Sequence, residues 1–91
     1  MSGWSVQLTS AAARGMDRLP PRVIPAVIEF LYGPLTDEPR QVGRPLRGDF
    51  SGLLGARRGD YRILYEIREE PRIVVVHRVA HRADAYRPPS P

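Results

Sequence analysis

The stretch Arg57-Arg58-Gly59-Asp60-Tyr61-Arg62-Ile63-Leu64-Tyr65-Glu66-Ile67 decides the fold. Tyr61, Ile63, Tyr65 and Ile67 alternate with Arg62, Leu64 and Glu66. That period of two marks a strand with one buried face. Gly59-Asp60 ahead of it is a turn signal, and residues 53–58 before the turn read as a weaker strand. Arg68-Glu69-Glu70-Pro71 forms a second turn. Residues 72–79 then read as a central strand, because both of its faces are largely apolar. Strands joined by short turns must run antiparallel, so this half of the chain predicts a three-strand meander.

Working outward, Trp4, Val6 and Leu8 alternate with Ser5, Gln7 and Thr9, a first strand. Ser10 can cap a helix that runs to about Leu19, with Ala12, Met16 and Leu19 on one face. Gly15 weakens it by roughly 1 kcal/mol relative to alanine, so tertiary packing must hold it. Val23, Ile24, Val27, Ile28 and Leu31 mark a second helix over residues 22–32. Pro25 is tolerable only in a first turn, which moves the regular helix to a later start. Gly33-Pro34 stops it. Only a few residues separate the two helices, which predicts a helical hairpin. Residues 35–50 show little periodicity and read as a loop that crosses back to the sheet.

The predicted class is α+β: an N-terminal strand, a two-helix hairpin, then the meander, giving a four-stranded sheet with helices on one face. Residues 1–87 are expected to form a single domain and residues 88–91 a disordered tail.

The chain has 91 residues and no cysteine. Disulfides, thiolate metal sites and a cysteine nucleophile are thereby excluded, which fits a reducing cytoplasm. No segment approaches the ~18 apolar residues of a spanning helix, and Met1-Ser2-Gly3-Trp4 does not read as the start of a signal peptide. The net charge is +4, and all 14 basic residues are arginine. Such a balance suits a polyanion, nucleic acid or acidic protein. The arginine bias itself is better explained by codon usage in a GC-rich genome than by phosphate binding, so placement carries the reading.

If Tyr61, Ile63, Tyr65 and Ile67 face the helices, Arg62 points to the open face of the sheet. Arg57 and Arg58 lie just across the turn. Arg78, His81, Arg82 and Tyr86 lie at the end of the next strand, which a meander brings back beside the start of the one before. Arg44 and Arg47 can rim the face. Arginines beside an aromatic suit single-stranded RNA; a solvated basic face, with Tyr86 packed at the core edge, fits the pattern equally. His77 and His81 are the only histidines and lack metal-ligand spacing, so neither a metal nor a cofactor is expected. His77 reads as a partly buried strand residue.

The segments Arg44-Pro45-Leu46-Arg47-Gly48, residues 52–67 around Gly59-Asp60-Tyr61-Arg62, and residues 79–86 resemble the RelE toxins of bacterial type II toxin–antitoxin systems, within the RelE/ParE superfamily. The resemblance covers nearly the whole chain. It implies a cytoplasmic, metal-independent endonuclease that cuts messenger RNA in the ribosomal A site, where ribosomal RNA is also a contact partner. There the RNA 2′-hydroxyl attacks the adjacent phosphate. By position, Arg62 matches the family's phosphate-binding arginine. Arg82 matches the arginine that protonates the leaving group or stabilises charge, and Tyr86 the C-terminal tyrosine that orients the base. Two family lysines are replaced by Leu53 and Gly55, with Arg57 and Arg58 the nearest substitutes in charge. Arginine stays protonated, so no general base is identified among them. His81, beside Arg82, is a candidate because histidine titrates near neutrality.

The resemblance further implies an antitoxin partner that covers the basic face, in a heterotetramer or larger complex. Two alternatives accompany it: a gyrase poison on the same fold, and an inactive toxin that only engages antitoxin.

Overall fold

The computed structural model describes residues 3–87. The expectation of a disordered tail at residues 88–91 lies outside the described residues. Five strands form one sheet in the order β1-β5-β4-β3-β2. They are β1 (Ser5–Leu8), β2 (Gly43–Pro45), β3 (Leu54–Arg58), β4 (Tyr61–Arg68) and β5 (Ile73–His81). β2 to β5 pair antiparallel, and β1 joins β5 in parallel. The α+β class and the meander are as the pattern predicts. The sheet is mixed, and it has five strands rather than four.

The extra strand comes from residues 35–50, which the sequence pattern presents as a loop. This segment holds a short helix α3 (Pro34–Asp37), the edge strand β2 and a 3-10 turn at Gly48–Phe50. Three residues that include a glycine and a proline give no alternation to read. Proline also confines β2 to an edge.

Helices α1 (Ser10–Asp17) and α2 (Ile24–Tyr32) cover one face. α1 is capped by Thr9, whose hydroxyl accepts from the Ala12 amide at 3.1 Å, and not by Ser10. Gly15 has a packing reason. A Cβ there would lie 2.4 Å from the Val79 carbonyl oxygen, so α1 lies on β5 at the one residue without a side chain. Pro25 sits in the first turn of α2, as its missing amide requires. On α2, Val27, Phe30 and Leu31 are buried, whereas Ile28 turns outward.

The core gathers Ala12, Val27, Leu31, Leu35, Ile63, Tyr65, Val74, Val76 and Val79 between helices and sheet. The Tyr65 hydroxyl donates to the Pro39 carbonyl at 2.5 Å. Gly43 makes room for it, since a Cβ there would come within 2.3 Å of that hydroxyl.

One irregularity sets the functional face. β4 and β5 pair from Ile67↔Val74 to Tyr65↔Val76, then resume at Leu64↔Arg78, so His77 is an extra residue on β5. A bulge of this kind reverses the parity of the residues beyond it. Val74, Val76 and Val79 all face the core. Arg78 is thrown onto the opposite face beside Leu64.

Candidate functional site

The face of the sheet away from the helices carries two rows of side chains. Arg44, Gly55, Leu64 and Arg78 form one row across four strands; Arg57, Arg62 and Ala80 form the next. Strand alternation therefore places Arg44, Arg57, Arg62 and Arg78 on one surface.

Gly59 makes the β3–β4 turn possible. Its φ of +62° at the first turn position is what a two-residue hairpin of this hand needs. The turn also organises the arginines. The Arg62 guanidinium donates to the Gly59 carbonyl at 3.2 Å and the Tyr61 carbonyl at 3.3 Å. The Arg82 amide donates to the Asp60 carbonyl at 2.7 Å, and its side chain lies 3.9 Å from the Asp60 carboxylate. Both members of that pair are largely exposed, so the bridge is weak. Among the described residues, no hydrogen bond or ion pair engages the side chains of Arg44, Arg47, Arg57 or Arg58.

Residues 82–87 turn back over this face after β5. Ala85 is fully buried and Tyr86 is 44% exposed. The Tyr86 ring meets Phe50 edge-on, centroids 6.0 Å apart. Its hydroxyl lies over Gly55, 3.2 Å from where a Cβ would stand, and Leu46 closes on the same point at 3.1 Å. The family lysine that the sequence lacks at Gly55 would meet this tyrosine.

Three of the sequence candidates lie elsewhere. His81 pairs with Tyr61, a core-packed residue, in an edge-on ring contact of 5.5 Å. It therefore faces the helix side, in a cleft of about 640 Å³ with Arg14, Arg18, Asp84 and Arg87. Its Nδ1 accepts from the Ala83 amide. Arg58, paired with Tyr61, shares that parity. Neither stands beside Arg62. Arg47 lies off the sheet, capping the 3-10 turn.

One group on the open face is absent from the sequence candidates. Glu66 bonds to His77 Nε2 at 2.8 Å and to Arg68 at 3.2 Å. The His77 bond, with Arg68 behind it, holds the Glu66 carboxyl below its ordinary range. The bulge that brings His77 to Glu66 leaves no signature in residue type. Glu66 lies four positions along β4 from Arg62, roughly 13 Å at strand rise. Among the described residues, no three histidine or acidic side chains converge as a metal site would need. No described helix is long and apolar enough to cross a membrane.

The arrangement supplies fixed positive charge and an exposed aromatic ring, which together suit a phosphodiester chain. A family model described as the ParE toxin of type II toxin–antitoxin system, parDE, matches residues 6–86. Toxin RelG of Mycobacterium tuberculosis is 50% identical over 84 residues, covering 92% of this chain and 97% of that protein. Toxin RelE of the same organism is 44% identical over 85 residues, 92% of this chain and 87% of that one. The crystal structure of the toxin–antitoxin complex RelBE2 from M. tuberculosis contains a chain that superposes with a TM-score of 0.82 at 47% identity. That match covers 87% of this chain and 98% of the other.

Proposed function

The chain belongs to the RelE/ParE toxins of type II toxin–antitoxin systems, and from that membership we propose that it is a metal-independent mRNA endonuclease acting in the ribosomal A site. The observation that supports this reading is the pairing of Arg57 with Arg62 on the open face, with Tyr86 over Gly55 on that face and Arg82 at the adjoining turn.

In the proposed reaction the 2′-oxygen attacks the adjacent phosphorus and the 5′-oxygen leaves. The products are a 2′,3′-cyclic phosphate and a 5′-hydroxyl end. Arg62 and Arg57 hold the phosphate and offset the charge that grows on its oxygens. Arg82 stands at the turn, next to where the leaving oxygen develops charge. Tyr86 stacks on a base and aligns the chain for in-line attack. Arg44 extends the track for the backbone. His81 lies in the cleft on the helix side, and this reading gives it no role. The rate gain is therefore orientation and electrostatics, with the 2′-hydroxyl proton passing to solvent or to a phosphate oxygen and the 5′-oxygen taking a proton from solvent.

An antitoxin is the protein partner in this reading, as RelBE2 is a complex of the two kinds of chain. The working compartment is the cytoplasm, where the ribosomes are.

The test is expression without antitoxin, with cut sites mapped on translated and untranslated message and plasmid supercoiling followed in parallel. Cuts confined to translated message support the proposal. Intact message with lost supercoiling indicates the gyrase reading, and no growth arrest an inactive toxin. Arg62→Ala and Arg82→Ala should each remove about 1.5–3 kcal/mol of transition-state stabilisation, ten- to hundredfold in rate. Both should still bind antitoxin.

A further inference from the structure

Arg78 sits in the arginine-bearing face, yet its guanidinium is already committed. Its Nη1 donates to the Ala85 carbonyl at 2.9 Å and the Arg87 carbonyl at 2.6 Å. Its carbon centre lies 5.5 Å from the Phe50 ring centroid. Phe50 in turn meets Tyr86 edge-on. One side chain on the rigid centre of the sheet therefore grips the carbonyls on both sides of Tyr86 and the aromatic neighbour of its ring.

The segment has few other ties. The backbone bonds of Asp84, Ala85 and Arg87 run to His81 and Asp84, within the segment or to its root. They shape the turn, but they do not fix it to the face. At its start the segment is tied to the β3–β4 turn by the Arg82 amide on the Asp60 carbonyl; around Tyr86 the attachment comes from Arg78, from buried Ala85, and from the Tyr86 ring against Phe50 and Gly55.

We propose that Arg78 is a positioning residue for Tyr86, acting through the backbone of residues 85–87, and that it does not itself hold substrate phosphate. The proposal rests on the endonuclease reading for the role of Tyr86, and on the contacts alone for the latch. Lysine is a poor replacement. It carries the charge, but not a planar fork that can bond two carbonyls while lying over a ring.

Two measurements test it. The first needs no RNA: timed trypsin digestion of the full-length toxin, monitoring the bond after Arg82. Arg78→Ala and Arg78→Lys should open this bond at least tenfold faster, with an unchanged melting temperature. Equal digestion of wild type and both variants would overturn the latch. The second is a double-mutant cycle in single-turnover cleavage on programmed ribosomes. If Arg78 acts through Tyr86, Arg78→Ala adds no loss in a Tyr86→Ala background. The salt dependence of ribosome binding then stays as in wild type. Multiplied losses, or a salt slope reduced by about one phosphate contact, would make Arg78 a phosphate ligand and overturn the proposal. A wild-type chain that leaves message intact would refute the endonuclease reading, and the digestion would still decide the latch.

Discussion

Arg57 and Arg62 face each other directly across β3 and β4, two like charges on the open side of the sheet. The hairpin closes at Arg58↔Tyr61, so Arg57↔Arg62 is the next, non-hydrogen-bonded pair, where side chains approach most closely. Like charges in this position destabilise a sheet by ~0.2–1 kcal/mol. Arg62 is tied to the turn carbonyls; Arg57 has no such tie. Arg57→Gln should therefore raise the melting temperature by about 1–6 °C in chloride buffer, while slowing cleavage. Phosphate buffer should stabilise the wild type and largely remove the difference. A variant less stable than wild type in both buffers would show that the pair carries no repulsion.

Gly15 offers a test of the helix–sheet contact. By propensity, Gly15→Ala gains about 1 kcal/mol in a helix. By packing, the new Cβ meets the Val79 carbonyl at 2.4 Å, and backbone cannot swing aside. Overpacking of this kind costs roughly 1–3 kcal/mol. Packing should win, with a net loss of stability in urea titration. A net gain would mean that α1 rides further from β5 than this contact requires.

Tyr65 gives the fold an alkaline limit. Burial pushes its phenol up from 10.0 to about 12. The unfolded chain ionises first, so the neutral folded form is favoured below pH 10. That contribution, on the order of 2–3 kcal/mol, is lost as the pH rises from 10 towards 12. Tyr65→Phe has no phenol to ionise, but it leaves the buried Pro39 carbonyl without its donor, a cost of about 1–3 kcal/mol. The variant should be less stable at pH 7, and the two stability curves should converge above pH 10. Parallel curves across that range would show that Tyr65 does not titrate with unfolding.

Strand parity was enough to direct Arg62, because four alternating apolar residues flank it. Parity also places His81: its pairing with Tyr61 at the end of β5 puts it on the helix side of the sheet. What parity misses is the bulge. Carried on unbroken from Val74 and Val76, alternation sends Arg78 to the helix side. The extra residue at His77 returns it to the open face, and nothing in the identity of His77 announces this. β2 was hidden for another reason: it is a strand by its pairing with β3, which is a long-range fact. The latch at Arg78 was hidden too, since an arginine that binds carbonyls reads like one that binds phosphate.

Gly55 bears on whether a missing lysine limits this toxin. If only charge were missing, Gly55→Lys would speed cleavage and Gly55→Ala would change nothing. The contacts argue otherwise. A Cβ at residue 55 would press on Leu46 at 3.1 Å and the Tyr86 hydroxyl at 3.2 Å. The space a lysine stem would take holds the tyrosine proposed to orient the base. Either substitution should push Tyr86 off the sheet and cost about 1–3 kcal/mol of stability by overpacking. Both variants should then cleave more slowly than wild type, alanine nearly as slowly as lysine, in single-turnover assays on programmed ribosomes. A faster Gly55→Lys enzyme would mean that Tyr86 can move aside without loss. The arginine face would then be short of a cation rather than built around a glycine.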